Sequence, residues 1–195
     1  MMALPVFSAP KLFTPTNLKS RPALVDDIID LINDAFVRSK LPEPDKWEDP
    51  TRKRFPTRES YLEALGPDGI IFAIFDEDKI VPVAGAVLWE GGWRKKGAGV
   101  EEGWEVKAVA VHSDAKYLHQ GLAVQLYAAL EDISLNKKRT RSTQGCVTLW
   151  ILAAECINGP YWRKRGAGGY REVRKETCGV GTWGLSKELG YVHAA

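Results

Sequence analysis

A strand–helix–strand unit in the second half of the chain constrains the fold most. Residues 104–111 form a β-rich run, and a short connection leads from them into an amphipathic helix that begins near Gly121. One face of this helix carries four aliphatic residues, Leu122, Leu126, Leu130 and Ile133. Residues 147–154, VTLWILAA, are almost continuously apolar, which is typical of a strand covered on both faces. Because a helical crossover joins parallel strands, the unit predicts a parallel pair.

Two helices are predicted before this unit. From Pro22 the apolar residues recur at helical spacing, and Ser20 is the expected cap of that helix. Residues 41–57 are rich in proline and charge, which predicts a surface loop. A second, shorter helix is expected to begin near Thr57 and to end at Gly66.

The remaining elements are strands and one short helix. Residues 70–75 and 82–89 predict two strands joined by a tight turn. A basic helix is expected at residues 159–165, followed by weaker strands at 170–177 and 183–191. Together the elements predict an α/β (α+β) layered fold with helices flanking the sheet, in one domain over residues 1–195. Residues 1–12 are expected to be a loosely ordered N-terminal extension.

Composition excludes several classes of protein. The 195 residues carry 27 basic and 25 acidic side chains, a net charge of +2, which is too near balance for a dedicated nucleic-acid binder. The three cysteines lack CxxC spacing and the three histidines form no ligand cluster, so no metal site is predicted. Neither a signal peptide nor a membrane span is visible, which predicts a cytoplasmic, intracellular protein with no membrane partner.

The segment that carries chemistry is LHQGLA, residues 118–123, between the strand and the helix. The first turn of a helix leaves backbone N–H groups unpaired and bears the positive end of the dipole. Gly121 has no Cβ that would obstruct a close approach, and Ala123 is nearly as small. These features predict a site for a phosphate or pyrophosphate, although a tight turn without a ligand has the same sequence pattern.

The strand ending in Val109-Ala110-Val111, the loop and the xxxGxA helix start resemble the cofactor motif of the GNAT superfamily of N-acetyltransferases. The order of elements from about residue 13 to residue 192 and the closing YWRKRG are also similar to that family. The resemblance implies a mixed, mostly antiparallel sheet with a central parallel strand pair. It also implies acetyl-CoA as co-substrate and acetyl transfer to an amine acceptor.

The resemblance assigns a cofactor role to ten residues. The backbones of Val109, Ala110 and Val111 would pair with the pantetheine arm. Asn158, just after the apolar strand, would also touch the cofactor. The backbone amides around the pyrophosphate would be those of His119, Gln120, Gly121, Leu122, Ala123 and Val124.

The catalytic residues implied by the resemblance are Glu105 and Tyr161. Glu105 lies on the motif strand where some family members place a base, but a surface carboxylate paired with Lys107 is an equally good interpretation. Where the family often has a tyrosine acid, this chain has Trp162, so the acid would be the adjacent Tyr161 or water. A second departure is Leu118, where the family usually has Arg or Gln.

Three functions follow from these features. The first is direct transfer of acetyl from acetyl-CoA to a primary amine, with a small amine favoured over a protein and a monomer or homodimer expected. Trp47, Trp89 and Trp93 lie near predicted loops and are core residues or the lining of an acceptor pocket. The second is a non-catalytic coenzyme-A-binding or interaction module, suggested by Leu118 and Trp162. The third is a nucleotide- or phosphate-binding protein that uses the same helix end.

Overall fold

The computed structural model describes residues 5–89, 103–139, 147–154, 170–172 and 180–187, with side chains described for 5–89, 103–133 and 149–151. Two compact units make up the chain. The first consists of residues 1–88 and 106–130, and the second of residues 89–105 and 131–195. The expectation of a single domain concerns both units and stays a prediction.

Three α-helices of the first unit lie between its first two strands along the chain: α1 (Pro15–Lys19), α2 (Pro22–Lys40) and α3 (Arg58–Leu65). α3 begins and ends as predicted, with Thr57 as a hydrogen-bonded N-cap and Gly66 as C-cap. The prediction of Ser20 as the cap of α2 is wrong, because Ser20 instead ends α1. The N-cap of α2 is Arg21, without a side-chain bond, and Pro22 stands in the first turn, where its missing N–H costs nothing.

The strands of the first unit are β1 (Lys11–Phe13), β2 (Ile70–Asp76), β3 (Lys79–Leu88) and most of β4 (Trp104–Val111). β2 pairs antiparallel with both β1 and β3. β3 begins three residues earlier than predicted, and the register shifts between Ala73 and Phe75, where Pro82 of the partner strand has no N–H to donate. The amide of His112 donates to Val81 O at 2.8 Å, which ties the end of β4 to β3.

The N-terminal segment is part of this sheet. Phe7 forms an isolated antiparallel bridge with Asp76, and the Ser8 amide donates to Phe75 O at 2.8 Å. With β1 paired to β2 as well, residues 7–13 are ordered, whereas the sequence predicted a loosely ordered extension up to residue 12. Backbone pairing across 60 residues leaves no local pattern that would have predicted it.

The second unit contains β5 (Val147–Ala154), β6 (Tyr170–Glu172) and β7 (Val180–Lys187). β7 pairs antiparallel with β5 along its whole length and with β6 on its other side. β5 has the predicted bounds, whereas β7 begins three residues before the predicted 183–191. The predicted helix at 159–165 lies outside the described residues. α4 (Leu122–Arg139) begins in the first unit and ends in the second.

The fold class is confirmed: helices flank a mixed, mostly antiparallel sheet that contains a parallel strand pair. In the first unit α2 packs its apolar face on β2, β3 and β4, and the deepest residues of this core include Ile28, Ile32, Ile71 and Val83. On α4, Leu122, Leu126 and Leu130 are buried as predicted, whereas Ile133 is half-buried. In the described residues no helix is long and apolar enough to cross a membrane.

A buried amide fastens the proline-rich loop to α2. The side chain of Asn33 donates to Phe55 O at 2.8 Å and accepts from Phe55 N at 3.0 Å, so one side chain satisfies both backbone groups of Phe55. Nearby, Lys40 Nζ donates to Arg52 O at 3.2 Å, and the Arg54 guanidinium lies over the Phe36 ring. The predicted surface loop is therefore exposed but anchored at its C-terminal end.

We expect Asn33→Ala to lower the free energy of unfolding by about 2–4 kcal/mol, because two buried backbone groups lose their partner. Urea denaturation measures this. The control is Tyr61→Phe, since the buried Tyr61 hydroxyl has no hydrogen-bond partner among the described residues and its removal should change stability by less than about 1 kcal/mol. Equal stability of the two variants would contradict the role given to Asn33.

Candidate functional site

β4 supplies the strand side of the candidate site. Its residues alternate between buried and half-buried, so Glu105, Lys107, Val109 and Val111 share the less buried face, as predicted. Ala108 interrupts the extended backbone with φ of 52°. A left-handed residue within a strand is rare for anything but glycine and is typical of a β-bulge. The second half of β4 therefore leaves the regular sheet geometry just before Val109.

The segment between β4 and α4 is a solvent-exposed loop. From residue 113 to residue 121 every side chain is exposed except that of Tyr117. His119 and Gly121 both have left-handed backbones, with φ of 62° and 72°. Left-handed residues of this kind occur in the backbone concavities that bind anions. The predicted pyrophosphate loop is thus exposed, and two of its residues have a conformation that such concavities use.

The free amides at the start of α4 are fewer than the sequence predicted. The amides of Val124 and Gln125 both donate to Gly121 O, at 3.0 and 3.1 Å. The Val124 N–H therefore already serves the helix, and its contact with a pyrophosphate stays a prediction. The amides that remain as candidates are those of His119, Gln120, Gly121, Leu122 and Ala123.

Gly121 is needed for its backbone conformation. A Cβ built on it meets nothing within 4 Å, so within the chain itself there is no close approach that only glycine allows. Its φ of 72° is the reason that a side chain would be strained there. Only a bound ligand could therefore approach Gly121 closely enough to need the missing Cβ.

Arg38, at the C-terminal end of α2, holds the end of β4. Its Nη2 donates to Val111 O at 2.9 Å, and its Nη1 pairs with Asp34 one turn earlier on the helix. Of the three residues whose backbones were predicted to pair with pantetheine, Val111 thus has its carbonyl already engaged. Sequence analysis missed Arg38, because 73 residues separate it from Val111.

A cluster of polar groups anchors the loop to the turn between β2 and β3. The Tyr117 hydroxyl donates to Asp76 Oδ2 at 2.7 Å, and Lys116 Nζ lies 3.3 Å from the same oxygen. The Tyr117 hydrogen bond, more than Lys116, holds the pKa of Asp76 below its usual value, whereas burial raises the pKa of Tyr117. A lone aromatic residue in an otherwise polar loop was the only sequence signal for this anchor.

His112 stands at the junction of strand and loop. Burial, and to a smaller extent the nearby Lys79, lowers its pKa, so the ring is neutral at pH 7. Its Nδ1 accepts from the Asp114 amide at 3.1 Å, and its ring contacts Tyr117 edge-on. His112 therefore serves the loop's conformation rather than a charge contact.

The catalytic residues predicted from the sequence are only partly described. Glu105 is half-buried on β4, in the second unit. Asn158, Tyr161 and Trp162 lie outside the described residues. No group of three or more potential metal ligands occurs among the residues that are described.

One predicted acceptor-lining residue has an aromatic partner. Trp89 stacks on Trp150 of β5 with ring centroids 5.3 Å apart and planes 20° from parallel. Trp150 lies opposite Gly184 on β7, so no side chain competes for space across the strands. Trp47 is half-buried in the proline-rich loop, and Trp93 lies outside the described residues.

Comparison with known proteins identifies the fold. No protein-family model matches the sequence, and no curated protein matches it. Among solved structures, an aminoglycoside 6′-N-acetyltransferase complexed with coenzyme A is 15% identical, with a TM-score of 0.54 over 93% of this chain and 96% of that one. An N-acyl amino acid synthase from uncultured soil microbes is 12% identical, with a TM-score of 0.57 over 93% and 90% of the two chains.

A third similar structure is the PaiA N-acetyltransferase from Thermoplasma acidophilum in complex with coenzyme A. It is 9% identical, with a TM-score of 0.55 over 92% of this chain and all of that one. The fold that the resemblance implied is thereby confirmed. Identities this low show a shared fold rather than a shared activity.

We expect Gly121→Ala to lower the free energy of unfolding by about 1–2 kcal/mol, because a Cβ disfavours the left-handed conformation. Gly121→Asn is the control, since asparagine adopts this conformation more readily and should lose less. Urea denaturation of the two variants and the parent chain measures the difference. An alanine variant as stable as the parent would mean that the loop relaxes away from this backbone.

Proposed function

We propose that this chain is an acyl-CoA-dependent N-acyltransferase, and more narrowly that it moves an acetyl group from acetyl-CoA to the primary amine of a small acceptor. The observation that carries the proposal is the exposed loop at residues 118–121 in front of α4, in which His119 and Gly121 have left-handed backbones. It follows a strand in which Ala108 has a left-handed backbone. Similar structures support it, because their names include two N-acetyltransferases with coenzyme A and an N-acyl amino acid synthase.

The loop suits a pyrophosphate in both geometry and charge. The unpaired amides at the start of a helix carry about half a positive elementary charge, concentrated in its first turn. His119 and Gly121 have left-handed backbones, and the segment is exposed, so a bound ligand can approach its amides. The backbone around Val109 would then meet the pantetheine arm along β4.

Acetyl transfer would proceed directly from thioester to amine. The amine nitrogen attacks the thioester carbonyl, the carbon–sulfur bond breaks, and the nitrogen loses a proton. Glu105 is the proposed base, acting directly or through water, and Tyr161 or water is the proposed acid that returns a proton to the thiolate.

A second candidate function is a coenzyme-A-binding module without catalysis. Leu118 favours it, because this large apolar side chain is 37% exposed at the position where the family usually has Arg or Gln. Trp162, where a tyrosine acid is usual, points the same way. This second candidate shares the ligand with the first and differs only in turnover.

Differential scanning fluorimetry with acetyl-CoA, CoA and ATP tests the ligand. We expect both CoA species to raise the melting temperature, because binding to the folded chain alone stabilises it by about 2.7 kcal/mol at a hundred times the dissociation constant. ATP should give a smaller shift. No shift with either CoA species would overturn both candidates, and a shift with ATP alone would favour a nucleotide-binding protein.

Thiol release from acetyl-CoA over a panel of small amines tests turnover. With an accepted amine, Glu105→Gln should lower kcat about 10²- to 10⁴-fold, the usual contribution of a general base, while leaving CoA binding unchanged. Lys107→Gln, on the same face of β4, is the matched control. Unchanged turnover in Glu105→Gln would remove Glu105 from the mechanism, and binding without thiol release would favour the non-catalytic module.

A further inference from the structure

The loop between β4 and α4 has one buried residue, Tyr117. Its side chain is 1% exposed, whereas the other residues from 113 to 121 are exposed. A short 3₁₀ turn, Ala115–Tyr117, delivers the ring inward, and the Asp114 side chain caps this turn by accepting from the Lys116 amide at 3.0 Å. Tyr117 therefore anchors the loop at its middle.

Aromatic side chains and a carboxylate contact Tyr117. The Tyr117 ring lies 6.1 Å from the Phe7 ring and 5.4 Å from the His112 ring. Its hydroxyl donates at 2.7 Å to Asp76 Oδ2, at the end of β2. A hydrogen bond to an ionised carboxylate is among the stronger ones in proteins, and this one joins residues 41 positions apart.

Tyr117 directly precedes residues 118–121, the candidate anion-binding segment. Leu118 follows Tyr117, with its amide bonded to Ala115 O at 3.2 Å, and the left-handed His119 and Gly121 come next. On the other side α4 is held by Leu122, which is 2% exposed. Residues 118–121 thus lie between two buried residues, Tyr117 and Leu122. So short a segment has little freedom to reorient its amides.

We propose that Tyr117 is a positioning residue for phosphate binding: its hydrogen bond to Asp76 fixes the orientation of the amides of residues 119–121 toward the phosphates of an acyl-CoA. This inference rests on the proposed function for the identity of the ligand. Tyr117 itself acts through the loop, because its hydroxyl is directed to Asp76. Preorganised amides bind an anion without a further loss of conformational freedom, which is the advantage that the anchor supplies.

The test compares Tyr117→Phe with Tyr61→Phe, which removes a buried hydroxyl that has no partner among the described residues. We expect Tyr117→Phe to weaken CoA binding about three- to tenfold by titration calorimetry, a smaller factor than the full loss of one hydrogen bond to a charged group would give, because the ring contacts remain. The KM for acyl-CoA should rise by the same factor with kcat unchanged. Tyr61→Phe should bind as the parent does.

A double-mutant cycle with Asp76→Ala separates positioning from general stability. If both residues act through one bond, the double variant should bind CoA no more weakly than the poorer single variant. Amide exchange at residues 118–123 should be faster in Tyr117→Phe. Lower thermal stability with unchanged CoA affinity would overturn the proposal and leave Tyr117 a structural residue.

Failure of the proposed function gives a different result. If the parent chain binds neither CoA nor acetyl-CoA, the proposed function fails, and the ligand part of this inference fails with it. Amide exchange still decides the remaining part, since unchanged exchange in Tyr117→Phe would show that the Asp76 bond does not hold the loop.

Discussion

Burial of α2 against the strands is the interaction on which the first unit depends. Ile28 and Ile32 of this helix are fully buried in the core that includes Ile71 and Val83. Full burial of one such side chain contributes about 1.5–3 kcal/mol, so the helix has little freedom to shift. Because α2 is fixed in place, two of its polar side chains can hold segments that are distant in sequence. Asn33 bonds to the backbone of Phe55, and Arg38 donates to the carbonyl of Val111.

In the candidate site, an exposed loop lies between residues that hydrogen bonds and burial hold in place. Hydrogen bonds to Arg38 and to the Val81 carbonyl hold the end of β4, and a hydrogen bond to Asp76 holds Tyr117. The residues that follow Tyr117 are exposed. A ligand as large as a coenzyme A requires exposed amides, yet exposed loops are usually mobile. Anchors on both sides of residues 118–121 resolve this conflict, because they limit motion without covering the amides.

Local pattern was sufficient for the elements that carry the site. The bounds of β4 and β5 follow from their apolar runs, and α4 begins one residue after the predicted start. Both Thr57 and Gly66 were read correctly as caps, because capping depends on neighbouring residues. Ser20 was assigned to the wrong helix, since a single serine between two helices suits either terminus.

The rest could not be predicted because it depends on contacts between distant residues or on backbone angles. The bonds from Arg38 to Val111 and from Tyr117 to Asp76 span 73 and 41 residues, and no periodicity marks their partners. The left-handed φ of Ala108 and His119 is equally invisible, since neither residue type signals it as glycine does. The bond from the Val124 amide to Gly121 O was not foreseen either, and the predicted contact of this amide with a pyrophosphate stays a prediction.

The charges around the loop indicate how it would hold an anion. Arg38 is paired with Asp34, and Lys116 with Asp76, so each of these cations is already partly neutralised by a carboxylate. Leu118 adds no charge where the related motif usually has one. Side-chain cations therefore contribute less here than in a loop with a free arginine, and the backbone amides and the helix dipole carry more of the attraction.

For amides the orientation decides the strength of the interaction, since a hydrogen bond weakens steeply as its angle falls. A site of this kind depends on how firmly its loop is held, which makes the buried ring of Tyr117 as important as the exposed residues that follow it.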